Sequence, residues 1–104
     1  MAEWGVTNNT NQPAFQSLSP DFEYNAVRCI HKDNKGFIWF GTSSGLIRYD
    51  GINFYVYENE TGNPASIRNN NVNAIAEDRF NNLWIGTSGG LSLYNRKKDN
   101  FKKF

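Results

Sequence analysis

His31 is the only histidine in the chain, and no second metal ligand stands at a useful spacing from it. Alternation along a strand places it beside Ile30 as a solvated or packed residue. Cys29 is equally alone, which rules out a disulfide within the chain and a cysteine-based zinc site. Asp33 and Asp78 stand where turns begin, and a carboxylate there accepts hydrogen bonds from turn N–H groups. Because the two occupy one position of a repeat, they are held apart and do not form an acid–base pair. No nucleophilic triad, phosphate-binding glycine loop or zinc pattern is present, so the sequence calls for no catalytic residue, no cofactor and no metal. Binding chemistry is left. Arg28, Asn73, Asn70 and Asn71 could offer paired hydrogen bonds of the kind that suit carbohydrate hydroxyls, although asparagine-rich stretches are also ordinary turn formers.

Composition sets what must position these residues. Hydrophobic residues make up 38% and aromatics 15% of the 104, and Phe, Tyr, Trp, Ile, Leu and Val dominate, a strand-favouring mixture. A domain of this size buries only about 60–70% of its unfolded surface, so its core must be efficient or shared. A formal charge of +1 gives no electrostatic reason to expect nucleic acid or direct membrane contact. No stretch approaches the roughly 20 apolar residues of a membrane span, and no signal peptide is recognisable at the start. Residues 1–14 read as a flexible polar lead-in.

A repeat organises the remainder. Val27, Ile30, Asp33, Ile38, Trp39, Gly41, Thr42, Gly45, Leu46 and Tyr49 are answered by Val72, Ile75, Asp78, Leu83, Trp84, Gly86, Thr87, Gly90, Leu91 and Tyr94, every pair 45 positions apart. That period suits four-stranded propeller blades. In the first unit four strands are predicted: Val27 to Lys32, Phe37 to Thr42, Leu46 to Asp50 and Phe54 to Tyr57. Asp33-Asn34-Lys35-Gly36 turns the first into the second, with glycine where a positive φ is expected and Asn81 at the same place in the second unit. Asp50-Gly51 signals a hairpin, and the corresponding loop around Arg96-Lys97-Lys98 is longer by two residues. Phe37-Ile38-Trp39-Phe40 is apolar without a break, so both faces of that strand must be covered. Trp39 and Trp84 are expected between blades, and Gly41 and Gly86 to permit close approach. The fold class is therefore all-β: blade 1 over 19–57, blade 2 over 58–104, and an extra outer strand at 15–18, Phe15 to Leu18, able to close a ring. Two blades do not make a ring. Further blades of a parent chain, or three or four copies of this one as a homo-oligomer, are the expected partners.

The strings GFIWFGTSSGLIRYDGINF and NNLWIGTSGGLSLYN resemble the two-component regulator propeller repeat, and the likeness extends from Phe15 to Phe104. At its start Asp21-Phe22-Glu23 replaces the more usual acidic-Gly-Leu. The resemblance implies the N-terminal sensor region of a Bacteroidetes-type hybrid two-component system. Such a parent is anchored in the inner membrane, holds the propeller in the periplasm, carries a histidine kinase and senses oligosaccharides for signal transduction. The chain itself would be non-catalytic. Around a propeller channel, ligands would meet Arg28, Asn73, Asn70 and Asn71.

Two alternatives remain open. Asp33-x-x-Gly36-x-x-Trp39 has a loose likeness to the Asp-box of sialidases, which would suit a propeller glycoside hydrolase or lyase, although that motif is structural there too. A purely structural, self-assembling propeller module is the other. On the sequence alone, Trp39→Ala and Trp84→Ala are each expected to cost about 3–5 kcal/mol in urea melts, as loss of a buried large aromatic does.

Overall fold

The computed structural model describes residues 27–104, which form two four-stranded antiparallel sheets and no helix. The closing strand expected at Phe15 to Leu18 lies outside the described residues. The first sheet runs β1 (Val27–Lys32), β2 (Ile38–Thr42), β3 (Gly45–Tyr49) and β4 (Phe54–Tyr57). The second repeats it with β5 (Val72–Glu77), β6 (Leu83–Thr87), β7 (Gly90–Asn95) and β8 (Asn100–Lys103). In each sheet sequence neighbours are spatial neighbours, the meander of a propeller blade.

Three strand boundaries differ from the expectation, the start of β2 and both ends of β3. Strand β2 begins at Ile38 because Phe37 belongs to the turn: its N–H donates to Asp33 Oδ1 at 3.0 Å and its carbonyl accepts Asp33 N–H at 2.9 Å. Strand β3 covers Gly45–Tyr49, since Asp50 caps the next turn by accepting Ile52 and Asn53 N–H at 2.9 and 2.7 Å. The turn conformations follow the residue types. Gly36 has φ 92° and Asn81, its counterpart, φ 67°, the left-handed region that these two residues tolerate best. The Gly-Thr-x-x-Gly core also has a local cause. Thr42 Oγ1 donates to Gly45 O at 2.8 Å and accepts Ser44 N–H at 2.9 Å, and Thr87 does the same with Gly90 and Gly89 at 2.6 and 3.1 Å.

The core lies between the sheets. Cross-strand register puts His31, Trp39, Arg48 and Tyr55 in one row and Cys29, Gly41, Leu46 and Tyr57 in the next, all on one face of the first sheet. Facing them are Leu83, Ile85, Tyr94 and Phe101 of the second sheet. Trp39 is fully buried, with Tyr57 stacked on it at 5.9 Å and the edge of Tyr94 at 4.9 Å between ring centroids. Ile67, from the connection between the sheets, is buried in the same cluster.

Equivalent residues therefore have unequal surroundings. Trp84 is only half-buried, against Phe104, on a face where Leu91 is 41% and Phe104 54% exposed. A Cβ at Gly41 would come within 2.7 Å of Val72 Cγ1 in the second sheet and 2.5 Å of Cys29 Sγ, whereas at Gly86 the nearest atom would be Ala74 Cβ at 3.5 Å. Of this pair, close approach is thus required only at Gly41. We predict that Gly41→Ala lowers stability in urea melts by about 1–3 kcal/mol through overpacking, while Gly86→Ala is neutral or gains up to about 1 kcal/mol by lowering backbone freedom. Trp39→Ala should cost about 3–5 kcal/mol and Trp84→Ala clearly less; equal losses for the two would contradict this packing.

Candidate functional site

The four binding candidates cluster where β1 and β5 begin. Both strands carry a bulge there, between Val27 and Cys29 and between Val72 and Ala74. A bulge inserts one unpaired residue and re-aims its side chain. The inserted residues are Arg28 and Asn73, and both are exposed. Among the described residues Arg28 has neither an ion-pair nor a hydrogen-bond partner. Asn73 Nδ2 lies 3.4 Å from Ser88 Oγ, which also accepts Asn71 Nδ2 at 2.8 Å, while Ser88 N–H donates to Asn71 O at 3.0 Å. Asn71 Oδ1 is buried without a hydrogen-bond partner. Asn70 works on the scaffold: its Oδ1 accepts Asn59 N–H at 2.6 Å. The structure thus groups Asn71 and Asn73 at Ser88, leaves Arg28 without a partner among the described residues at the neighbouring strand, and gives Asn70 to the loop.

That loop, between β4 and β5, is stapled by asparagine and serine side chains. Asn59 Nδ2 donates to Ile67 O and Arg68 O at 3.0 and 3.2 Å, and Ser66 Oγ to Asn63 O at 2.9 Å. Lys103 Nζ reaches Asn63 O at 2.8 Å, and Phe101 N–H donates to Ala65 O at 2.9 Å, which fastens the loop to β8. Gly62 (φ 86°), Asn63 and Pro64 form a surface turn, with Asn63 N–H on Glu60 O at 3.0 Å.

A second polar constellation sits at the opposite ends of the strands, across the seam between the sheets. Asp33 Oδ1 accepts Lys35 and Phe37 N–H at 2.9 and 3.0 Å, and Oδ2 accepts Trp39 Nε1 at 2.8 Å and Arg96 Nη1 at 2.9 Å. Arg96 Nη2 continues to Glu77 Oε2 at 3.2 Å, and His31 Nε2 lies 3.1 Å from Glu77 Oε1. His31 is therefore paired across the seam. Nearby, Arg48 Nη1 donates to Tyr94 OH at 3.1 Å, while Tyr57 and Tyr94 hydroxyls both donate to Asp99 Oδ1 at 2.6 Å. Desolvation, helped by the Asp99 bonds, raises the pKa of both tyrosines, so they stay protonated donors.

The repeat concealed these partners. Counting back 45 positions, Glu77 falls on Lys32, Arg96 on Gly51, Arg48 answers to Leu93 and His31 to Ala76. A comparison that looks for what recurs passes over them, and the signal that could have found them is charge at positions where the two units disagree. Among the described residues no group of three or more His, Cys, Asp or Glu could hold a metal ion.

The family comparison falls on the same repeat core. Residues 21–44 and 66–89 match the two-component regulator propeller family. The two matched segments begin 45 positions apart, one in each repeat unit. It is also similar to a crystal structure described as the extracellular domain of a hybrid two-component system from B. thetaiotaomicron, with 34% identity over 77% of this chain and a TM-score of 0.67. The match spans 11% of that much longer chain. No curated protein matches the sequence. Within these propeller repeats, the shared Trp-x-Gly-Thr core is the strand whose indole is tied to the turn aspartate.

Both turn aspartates titrate low. Burial pushes Asp33 up, but the bonds from Trp39, Arg96, Phe37 and Lys35 together outweigh it and hold the carboxyl below its ordinary value of 3.8. The Trp84 indole, followed by Asn82, brings Asp78 down to about 2. A carboxyl depressed on folding binds fewer protons than in the unfolded chain, so its stabilisation is present above the unfolded pKa and lost as pH falls through the folded one. Stability in urea should therefore hold as pH drops to about 4 and decline between about 4 and 2 as far as these groups act. Asp33→Asn should flatten that decline while lowering stability at pH 7; an unchanged acid limb would contradict the assignment.

Proposed function

We propose that the chain is part of the sensor propeller of a hybrid two-component system, lying on the extracytoplasmic side and acting by recognition rather than catalysis. The observation that carries this reading is the two-component regulator propeller repeat, present twice in one register and 34% identical to an extracellular domain of such a system. In this reading the parent is held in the inner membrane, its propeller is periplasmic, and a histidine kinase transmits the signal. The ligand is an oligosaccharide, met by Arg28, Asn73, Asn71 and Asn70 at the mouth formed by the β1 and β5 bulges. Support comes from the exposed Arg28 at the β1 bulge and the Asn71–Asn73–Ser88 group at the β5 bulge, a donor and acceptor mixture that fits neutral hydroxyls. The glycosidase alternative needs paired carboxylates facing a substrate. Asp33 and Asp78 are instead engaged with turn N–H groups and indoles, which weighs against it.

One observation favours assembly as a second reading. The Trp84 face, with Leu91 and Phe104 exposed, is the counterpart of the Trp39 face that the second sheet covers, so a further blade of the parent or another copy of the chain fits it. Two experiments test these readings. With the complete ectodomain, Arg28→Ala and Asn73→Ala should each weaken a bound oligosaccharide at least about tenfold, roughly 1.4 kcal/mol, without lowering the melting temperature. Binding that is indifferent to both, or hydrolysis of the glycan, would overturn the sensing site. For the isolated chain, light scattering at micromolar concentration should report three or four copies; a well-folded monomer would refute self-assembly.

A further inference from the structure

At the end of the seam away from Arg28, the two sheets leave a hollow of about 370 Å3 lined by Lys35, Phe37, Arg48, Tyr94 and Arg96. An adjoining hollow of about 500 Å3 shares Lys35, Tyr94 and Arg96 and adds Asn81, Asn95, Lys97 and Lys102 among its walls. Five cationic side chains line the two and no carboxylate does, in a chain whose formal charge is only +1. The acids stand behind the cations. Asp33 and Glu77 hold the two Nη atoms of Arg96, and Asp99, 3.9 Å from Arg48, already accepts two tyrosine hydroxyls. Lys35 and Lys97 form no ion pair among the described residues.

The two arginines carry a further sign. Arg48 Nε and Arg96 Nε are buried without a hydrogen-bond partner, and both residues, one from β3 and one from the turn after β7, line the smaller hollow. Arg48 is held between aromatic rings, its Cζ 4.9 Å from the centre of Phe37 and 4.5 Å from that of Tyr55. Donors fixed in this way by their neighbours need little ordering to meet an acceptor. The acceptor that two guanidinium edges and an ammonium match is an oxyanion. The hollow's size lies in the range of small-molecule sites, about 300–1,000 Å3.

We propose that this seam hollow binds a small polyhydroxylated acid, its carboxylate or sulfate between Arg48 and Arg96 with Lys35 over it, and its hydroxyls toward Asn81 and Asn95. The site goes beyond the proposed mouth at Arg28 and Asn73, lies at the opposite ends of the strands, and stands or falls independently of it. Since Arg48 belongs to the first sheet and Arg96 to the β7–β8 turn of the second, an occupant bridges the seam, and the folded pair of sheets gains stability by mass action.

The test uses the whole 104-residue chain, with D-glucuronate, glucose 6-sulfate, glucose and sodium sulfate as probes and the arginine Nε–H signals in 1H–15N spectra as the readout. Glucuronate or glucose 6-sulfate should shift the Arg48 and Arg96 signals saturably and raise the melting temperature, and whichever binds more tightly identifies the oxyanion. Glucose should do neither. Lys35→Glu, on an exposed turn, should weaken binding at least tenfold, and Lys35→Ala should weaken it less, whereas Lys32→Glu, outside the hollow, should leave it unchanged. No saturable shift with any probe, an equal response to glucose, or unaltered binding in Lys35→Glu would overturn the site. Sodium sulfate saturating at the same concentration as glucose 6-sulfate would overturn the part assigned to the hydroxyls.

Discussion

The hydrogen bond from the Trp39 indole to Asp33 is the constraint on which the two-sheet arrangement depends. It lets an indole be buried completely, because its only polar atom has a partner, and it leaves the same carboxylate oxygen for Arg96 of the next sheet. One carboxylate thus closes its own turn, orients the central aromatic ring and receives the neighbouring blade. Removing the Asp33 carboxylate would leave the Trp39 indole N–H buried without a partner, a more costly outcome than the loss of one bond.

The second sheet repeats the first half of this device and replaces the other half. Asp78 Oδ2 holds the Trp84 indole at 3.0 Å as Asp33 Oδ2 holds Trp39, but the same oxygen also takes Asn82 Nδ2 at 3.0 Å where Asp33 takes the arginine. Recurring residues therefore build each blade, and the residues that differ between blades build the seam: Arg96 with Glu77 and His31, and Arg48 with Tyr94 and Asp99. This division explains how a chain of near-identical repeats can still be chemically particular. Each seam of a repeat propeller can carry its own polar lining while the strands beneath it stay the same.

Much of the fold was legible because its causes are local. Turn glycines, the Asn81 substitution and the period of 45 depend on φ preferences and strand alternation, and these act over a few residues. The displaced boundaries at Phe37 and Asp50 arose where a side-chain carboxylate competes with the ladder for N–H groups, which residue type alone does not reveal. The binding candidates were legible in type and position but not in state. Arg28 and Asn73 prove to be bulge residues, and Asn70 is taken up by the loop.

The sequence by itself determined that the chain is all-β, repeats in four-stranded units and places a tryptophan near the start of each second strand, because each follows from short-range periodicity and side-chain size. Only the tertiary structure decided that Trp39 is sealed while Trp84 is half open, that Gly41 and not Gly86 must lack a side chain, and that His31 faces Glu77. The reason is that these depend on which sheet lies opposite. Two identical motifs have identical local energies, and what separates them is the neighbour each one meets across the seam.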